Sequence, residues 1–152
     1  MPALRELWEL DAREAVRDTI AAYHEAGDRF RLDDLAACFT ENGVLEVKGR
    51  SPAVGRTAIV EMLARPGGEP APAGFYVRHH VSSIRFESVT PEEARTTAYF
   101  LVLTAIGPDH WGRYRDVLVP DGDRWRFTHR LVAVDDHAEG SWFANLGQSQ
   151  TE

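Results

Sequence analysis

The chain has 152 residues, of which 43% are hydrophobic and 27% charged, the composition of a globular protein with one core. Its formal net charge of −7 argues against sequence-independent binding to nucleic acid or to an anionic membrane. No apolar run approaches a membrane span, the N-terminus is too charged for a signal peptide, and a single cysteine, Cys38, excludes an intramolecular disulfide. We therefore expect one soluble, cytoplasmic domain over residues 1–152.

Helical periodicity characterises the chain up to about residue 65. Asp11 and Glu14 form a capping-box pattern that predicts the start of a long helix, and Gly27 predicts its end. Asp28 follows directly. The other elements predicted in this half are a helix over 32–39, a turn at 40–43, a strand over 44–47, a helix over 58–64 and a Pro- and Gly-rich loop over 65–74.

Strand patterns follow from residue 75 onward. A long strand is predicted over 75–89, and its apolar side chains change face after Ser83, which indicates a bulge or a bend. The tail, 136–152, is rich in Gly, Asn, Gln and Ser; we expect it either to be flexible or to pack through Trp142 and Phe143. The remaining predicted strands are 94–106, 111–119 and 124–134.

Helices first and antiparallel strands afterwards indicate an α+β fold, in which three helices cover a strongly curved, mainly antiparallel sheet. Some strands carry apolar or aromatic residues on both faces, as in the run from Tyr99 to Val102. Such strands have more apolar surface than one interior can cover, so we expect a homo-oligomer, most simply a homodimer.

His79 lies on the apolar stripe of the 75–89 strand, beside Val77. A lone histidine in such a place is commonly a core residue satisfied by a hydrogen bond. Asp28, however, lies at the end of a long helix that can cross a concave sheet and bring the carboxylate to His79. An aspartate bonded to one ring nitrogen fixes the tautomer and raises the basicity of the other nitrogen. Tyr23, near the same helix end, adds a phenolic donor.

Aromatic and polar-tipped side chains on the faces assigned to the interior predict the lining of a mostly apolar ligand cavity. His110 and His137 are assigned to solvated loops. With no metal-ligand spacing and no phosphate-binding or cofactor motif, we expect neither a metal nor a cofactor. Besides Tyr23, Asp28 and His79, the predicted lining residues are Val77, Tyr99, Tyr114, Trp125, Phe127 and His129.

Several motifs follow one another over roughly residues 8–135: Tyr23-x4-Asp28, the run 33–44, Gly55-Arg56-x2-Ile59, His79 on a long strand and the run 121–127. Their order resembles the SnoaL-like branch of the NTF2-like (cystatin-like cone) superfamily. The resemblance implies an Asp–His pair at Asp28 and His79, similar to that of scytalone dehydratase, bile-acid dehydratase and hexachlorocyclohexane dehydrochlorinase, and a catalytic tyrosine at Tyr23. Gly27 and Thr104 depart from scytalone dehydratase, which has a tyrosine and a second histidine near these places.

Two functions follow as hypotheses. In the first, the chain is a cofactor-free lyase or isomerase of the dehydratase type, in which His79 takes a carbon-bound proton, Asp28 orients it and Tyr23 polarises oxygen. In the second, the same cone is a non-catalytic ligand-binding or accessory protein. An epoxide hydrolase would need an Asp–Arg–Asp set, for which Arg115 and Asp116 are the one local hint. An Asp28–His79 contact beside an open cavity would favour the enzyme.

Overall fold

The computed structural model describes residues 3–146, which form an α+β fold around a mixed six-stranded sheet. The strands pair in the order β2-β1-β6-β5-β4-β3, and every pair is antiparallel except β1 with β6. The elements are α1 (Leu7–Asp28), α2 (Leu32–Ala36), β1 (Phe39–Val47), β2 (Ala53–Val54), α3 (Arg56–Leu63), a 3-10 turn (Pro66–Gly68), β3 (Arg78–Val89), β4 (Ala94–Thr104), β5 (Gly107–Asp121), β6 (Arg124–His137) and α4 (Trp142–Leu146). The predicted fold class is confirmed.

Helix α1 packs its buried stripe against β6 and β3. It begins at Leu7 without a side-chain cap, so the predicted start at Asp11 is wrong. The helix also continues through Gly27, and the left-handed residue lies further on, at Phe30 (φ 55°). Gly27 has a packing role instead: a methyl group there would lie 3.2 Å from Leu35 Cδ1, so the glycine lets α2 approach α1 closely.

The sheet bends at irregularities in its register. In β3 the pairing with β4 shifts between Ser82 and Arg85, and Ser83 has a positive φ of 53°, as the predicted change of face requires. In β1 the pairing with β6 shifts between Phe39 and Val44. This irregular stretch was predicted as a turn but belongs to the strand, because Phe39 pairs with Phe127.

The segment after β6 was predicted to be flexible or to pack through two aromatic residues. Trp142 and Phe143 lie in α4 and are both packed: Trp142 contacts Phe75 in the loop before β3, and Phe143 stacks on His110 of β5 with ring centroids 4.9 Å apart. Residues 147–152, the last part of the predicted tail, lie outside the described residues.

A buried ion pair joins β5 and β6 beneath α1. Asp116 and Arg130 are cross-strand neighbours whose side chains are 0% exposed, and two hydrogen bonds of 2.8 Å link the guanidinium to the carboxylate. Burial alone would lower the pKa of Arg130, but the Asp116 carboxylate outweighs it and raises that pKa above its ordinary value. The rings of Tyr23, Tyr114 and Phe127 lie 4.4, 4.0 and 4.5 Å from the guanidinium carbon. Arg130 therefore ties α1 to the sheet.

We expect Asp116→Asn to lower the free energy of unfolding by about 3–5 kcal/mol, because it leaves the Arg130 guanidinium buried without its counter-charge. Urea denaturation followed by circular dichroism measures the loss. Asp135→Asn is the control, since it removes an exposed ion pair with Arg113 and should cost less than about 1 kcal/mol. Equal losses in the two variants would contradict the role given to the buried pair.

Candidate active site

Asp28 and His79 meet where the end of α1 faces the start of β3. Asp28 Oδ1 lies 2.6 Å from His79 Nδ1, and Asp28 Oδ2 accepts a 3.0 Å hydrogen bond from the His79 backbone N–H. The carboxylate thus holds both the ring and the backbone of the histidine. With Nδ1 donating to Asp28, the neutral ring carries its lone pair on Nε2, which has no hydrogen-bond partner within residues 3–146.

His79 borders an inner cavity and an outer groove. The inner cavity, of about 530 Å³, is mostly apolar and lies between the sheet and the four helices α1 to α4. The outer groove, of about 500 Å³, is more open and lies between α1 and β3. Asp28 lines the outer groove, whereas His79 and His24 line both. The imidazole of His79 is therefore held from the groove side and reaches the inner cavity.

The inner cavity contains three of the predicted site residues besides His79. Tyr23 and Val77 line it, as does Tyr114, and all three are buried. Burial raises the pKa of both tyrosines, so each phenol keeps its proton and can donate a hydrogen bond.

The other predicted lining residues lie elsewhere. Tyr99 is 57% exposed on the outer face of β4, because the inward alternation of that strand is set by Phe100 and Val102. Trp125 and Phe127 do point inward, but they are packed in the core under α1 and Trp125 is tied to it by a hydrogen bond from Thr19 Oγ1 to its carbonyl oxygen.

His129 faces outward and pairs with Glu46, with 2.9 Å between Nε2 and Oε2. The β5–β6 register shifts so that Val117 lies opposite His129 and Leu118 opposite Phe127. The extra residue, Thr128, reverses the alternation of β6, so that Phe127 and Arg130 point inward while His129 does not. The sequence analysis assumed an unbroken strand, so its face assignment for His129 was wrong.

His24 is a buried residue that the sequence analysis did not single out, although it lies one helical turn before Asp28. Its Nε2 is 3.1 Å from an Arg130 guanidinium nitrogen. A guanidinium only donates, so Nε2 must accept, and the ring is neutral with its proton on Nδ1. Burial, and after it the charge of Arg130, holds the pKa of His24 well below its usual value. Its ring lies 5.1 Å from that of His79.

His110 was assigned to a solvated loop, but it is buried on β5 and lines the inner cavity. Burial lowers its pKa, although Asp109 opposes this shift. Asp109 is itself fully buried; burial would raise its pKa, but its hydrogen-bond donors outweigh burial and lower that pKa to about 2. The donors to Asp109 are His110 Nδ1 (2.8 Å), Ser141 Oγ (2.6 Å), Thr104 Oγ1 (2.9 Å) and the Trp142 N–H (3.0 Å). A second carboxylate-held imidazole therefore borders the same cavity.

Arg115 and Asp116 do not form the set that an epoxide hydrolase would need. Arg115 is exposed on the outer face of β5, whereas Asp116 is buried against Arg130. Across residues 3–146, no three His, Cys, Asp or Glu side chains cluster in the manner of metal ligands. In the same part of the chain, none of the helices combines the length and the hydrophobicity that crossing a membrane requires.

The sequence model of the SnoaL-like domain matches residues 8–131, and the chain belongs to this family. A Catenulispora acidiphila structure in complex with S-DNPA is 28% identical (TM-score 0.72; 83% of this chain and 95% of that one covered). A Novosphingobium aromaticivorans protein described as a "Putative Scytalone Dehydratase" is 23% identical (TM-score 0.74; 86% and 89%). An NTF2-like protein with a cystatin-like fold from the same organism is 21% identical (TM-score 0.71; 87% and 87%). No match was found among curated proteins.

The low pKa of His24 predicts a specific dependence of stability on pH. Above about pH 6.5 the ring is neutral in both the folded and the unfolded chain; below it, only the unfolded ring takes up a proton. Stability contributed by the neutral ring is therefore present above about pH 6.5 and is lost as the pH falls.

We expect the unfolding free energy of the wild-type protein to fall between about pH 6.5 and pH 5. In His24→Gln, whose side-chain oxygen can still accept a hydrogen bond from Arg130, this fall should be less steep by up to ~1.4 kcal/mol per pH unit. Urea denaturation at several pH values measures this slope. His80→Gln, which removes an exposed imidazole, is the control. A wild-type slope in His24→Gln would show that His24 is not held neutral.

Proposed function

We propose that the protein is a cofactor-free lyase or isomerase of the dehydratase type, acting on a small and mostly apolar substrate. The observation that carries this proposal is the 2.6 Å contact between Asp28 and His79 beside an open, apolar cavity. A free Nε2 on a carboxylate-held imidazole is suited to general-base catalysis near neutral pH. Membership of the SnoaL-like family and the likeness of the fold to that of a protein described as a scytalone dehydratase are consistent with it.

In the proposed reaction, His79 Nε2 takes a proton from carbon next to an electron-withdrawing group, and Asp28 stabilises the imidazolium that results. The electron pair of the broken C–H bond forms a new double bond. In a dehydration, the hydroxyl group leaves from the adjacent carbon and takes the proton from His79 Nε2, which forms water and regenerates the base. In an isomerisation, His79 returns the proton to another carbon. Tyr23 donates a hydrogen bond to the oxygen on which negative charge develops.

His110 has a different role in this scheme. Its Nδ1 donates to Asp109, and its low pKa keeps the ring neutral, so Nε2 is an acceptor. We assign it to orienting a substrate hydroxyl. His24 is the third imidazole beside the cavity, and its neutral state means that it places no positive charge next to His79 as that ring becomes protonated.

A ligand-binding protein without chemistry is the second candidate. The Catenulispora acidiphila structure in complex with S-DNPA favours a cone that holds a small molecule, which both candidates require. A pure binder, however, has no need of an imidazole whose one nitrogen is held by a carboxylate and whose other nitrogen is free.

Base catalysis can be tested before the substrate is known, with nitrobenzisoxazole. Removal of its carbon-bound proton opens the ring to a coloured nitrophenolate in one step. We expect the wild-type protein to accelerate this reaction, and His79→Ala to lose about 10²–10⁴-fold of the acceleration. Asp28→Asn should also lose most of it, because the amide cannot stabilise the imidazolium. Absorbance measures the rate.

His129→Ala is the matched control, since it removes a half-exposed imidazole from the outer face of the sheet. It should react at the wild-type rate. If His79→Ala and Asp28→Asn also react at the wild-type rate while remaining folded, the Asp28–His79 pair is structural and the binding function is favoured.

We also propose that the protein is a homodimer that buries the outer face of the sheet, where Tyr99 is 57% exposed and Leu101 and Leu103 are partly exposed. Light scattering coupled to gel filtration should give twice the chain mass of 17.0 kDa. Tyr99→Arg should shift the particle towards the single-chain mass, because it places a charge in the interface. A wild-type particle of 17.0 kDa at micromolar concentration would contradict the dimer.

A further inference from the structure

The charges that line the inner cavity are all of one sign. Among the described residues, its lining includes two charged side chains, Arg50 and Arg65, and no Asp or Glu. The chain as a whole has 24 acidic and 17 basic residues, so composition alone would favour carboxylates. The outer groove differs, because Glu25 and Asp28 lie beside its arginines and offset their charge.

Both arginines lie against aromatic rings: Phe143 lines the cavity, and Phe75 packs behind the lining residue Trp142. Arg50 follows β1, and its guanidinium carbon lies 5.4 Å from the Phe143 ring centroid; Arg65 follows α3 and lies 5.3 Å from the Phe75 ring centroid. Stacking holds a guanidinium in place through its face and leaves its N–H donors in the plane free. Neither arginine has an ion-pair partner within residues 3–146. Arg50 is exposed and Arg65 is half-buried, which places them at the mouth of the cavity.

The interior beyond these arginines is suited to an apolar ring. Phe100, Tyr114 and Trp142 are among its lining residues, and most of the others are apolar too. The polar groups that it offers in the interior are the tyrosines and histidines described above. A ligand that matches both the apolar interior and the positive charges therefore has an apolar body inside and one anionic group at the mouth.

We infer that the substrate is an apolar ring compound with a single carboxylate arm, which Arg50 and Arg65 bind while the ring lies against His79. A guanidinium matches a carboxylate with two parallel N–H···O hydrogen bonds, and this geometry would fix the substrate in one orientation. The inference names the substrate class of the proposed enzyme and so rests on that function, but it can be tested by binding alone.

Naphthaleneacetate and naphthaleneacetamide are matched probes, because they share the ring and nearly the same shape but differ in charge. Isothermal titration calorimetry should show wild-type protein binding the carboxylate at least ~10-fold more tightly than the amide. In the double variant Arg50→Gln/Arg65→Gln the two probes should bind with about equal affinity, and the affinity for the amide should be unchanged. Each single variant should lose part of the preference.

Arg5→Gln, which changes an exposed arginine just before α1 and away from the cavity, is the control and should keep the preference. These binding measurements need no turnover, so a failure of catalysis and a failure of this inference give different results. Equal binding of the two probes by the wild-type protein, a preference that survives in the double variant, or no binding of either probe at millimolar concentration would each overturn the inference.

Discussion

The Asp116–Arg130 pair is the constraint on which the rest of the site depends. Two fully buried charges are tolerated only when they satisfy each other, and the bidentate contact across β5 and β6 achieves this. The guanidinium then has donors to spare, and one of them reaches His24 on α1. The same contact that joins helix and sheet therefore sets the tautomer of His24 and keeps a second positive charge away from His79.

Carboxylates hold two of the three imidazoles that line the cavity, His79 and His110, and each carboxylate has different further partners. Asp28 binds both the ring and the backbone of His79, so the orientation of the ring depends on where α1 ends relative to β3. Asp109 binds His110 and also the first residues of the segment that contains α4. The second carboxylate thus orients an imidazole and closes the cavity with one set of hydrogen bonds.

In the inner cavity, the uncharged polar groups lie apart from the permanent charges. The interior contains the neutral imidazoles of His24 and His110 and the protonated phenols of Tyr23 and Tyr114, because an unpaired charge would be costly to bury there. The permanent charges, Arg50 and Arg65, lie at the mouth, where water can solvate them when no ligand is bound. Binding a carboxylate there would orient a substrate without bringing a charge into the apolar interior.

Local pattern was enough to predict the α+β class, the long helix and the bend at Ser83, because periodicity and turn chemistry are properties of neighbouring residues. It also indicated Asp28 and His79, a carboxylate at a helix end and an imidazole on an apolar stripe. Tertiary structure decided the rest. One extra residue at Thr128 reverses the faces of β6, turning His129 outward and Arg130 inward. The register between strands decides which buried groups then come into contact. Register is a long-range property, so the alternation of residues along a single strand cannot predict it.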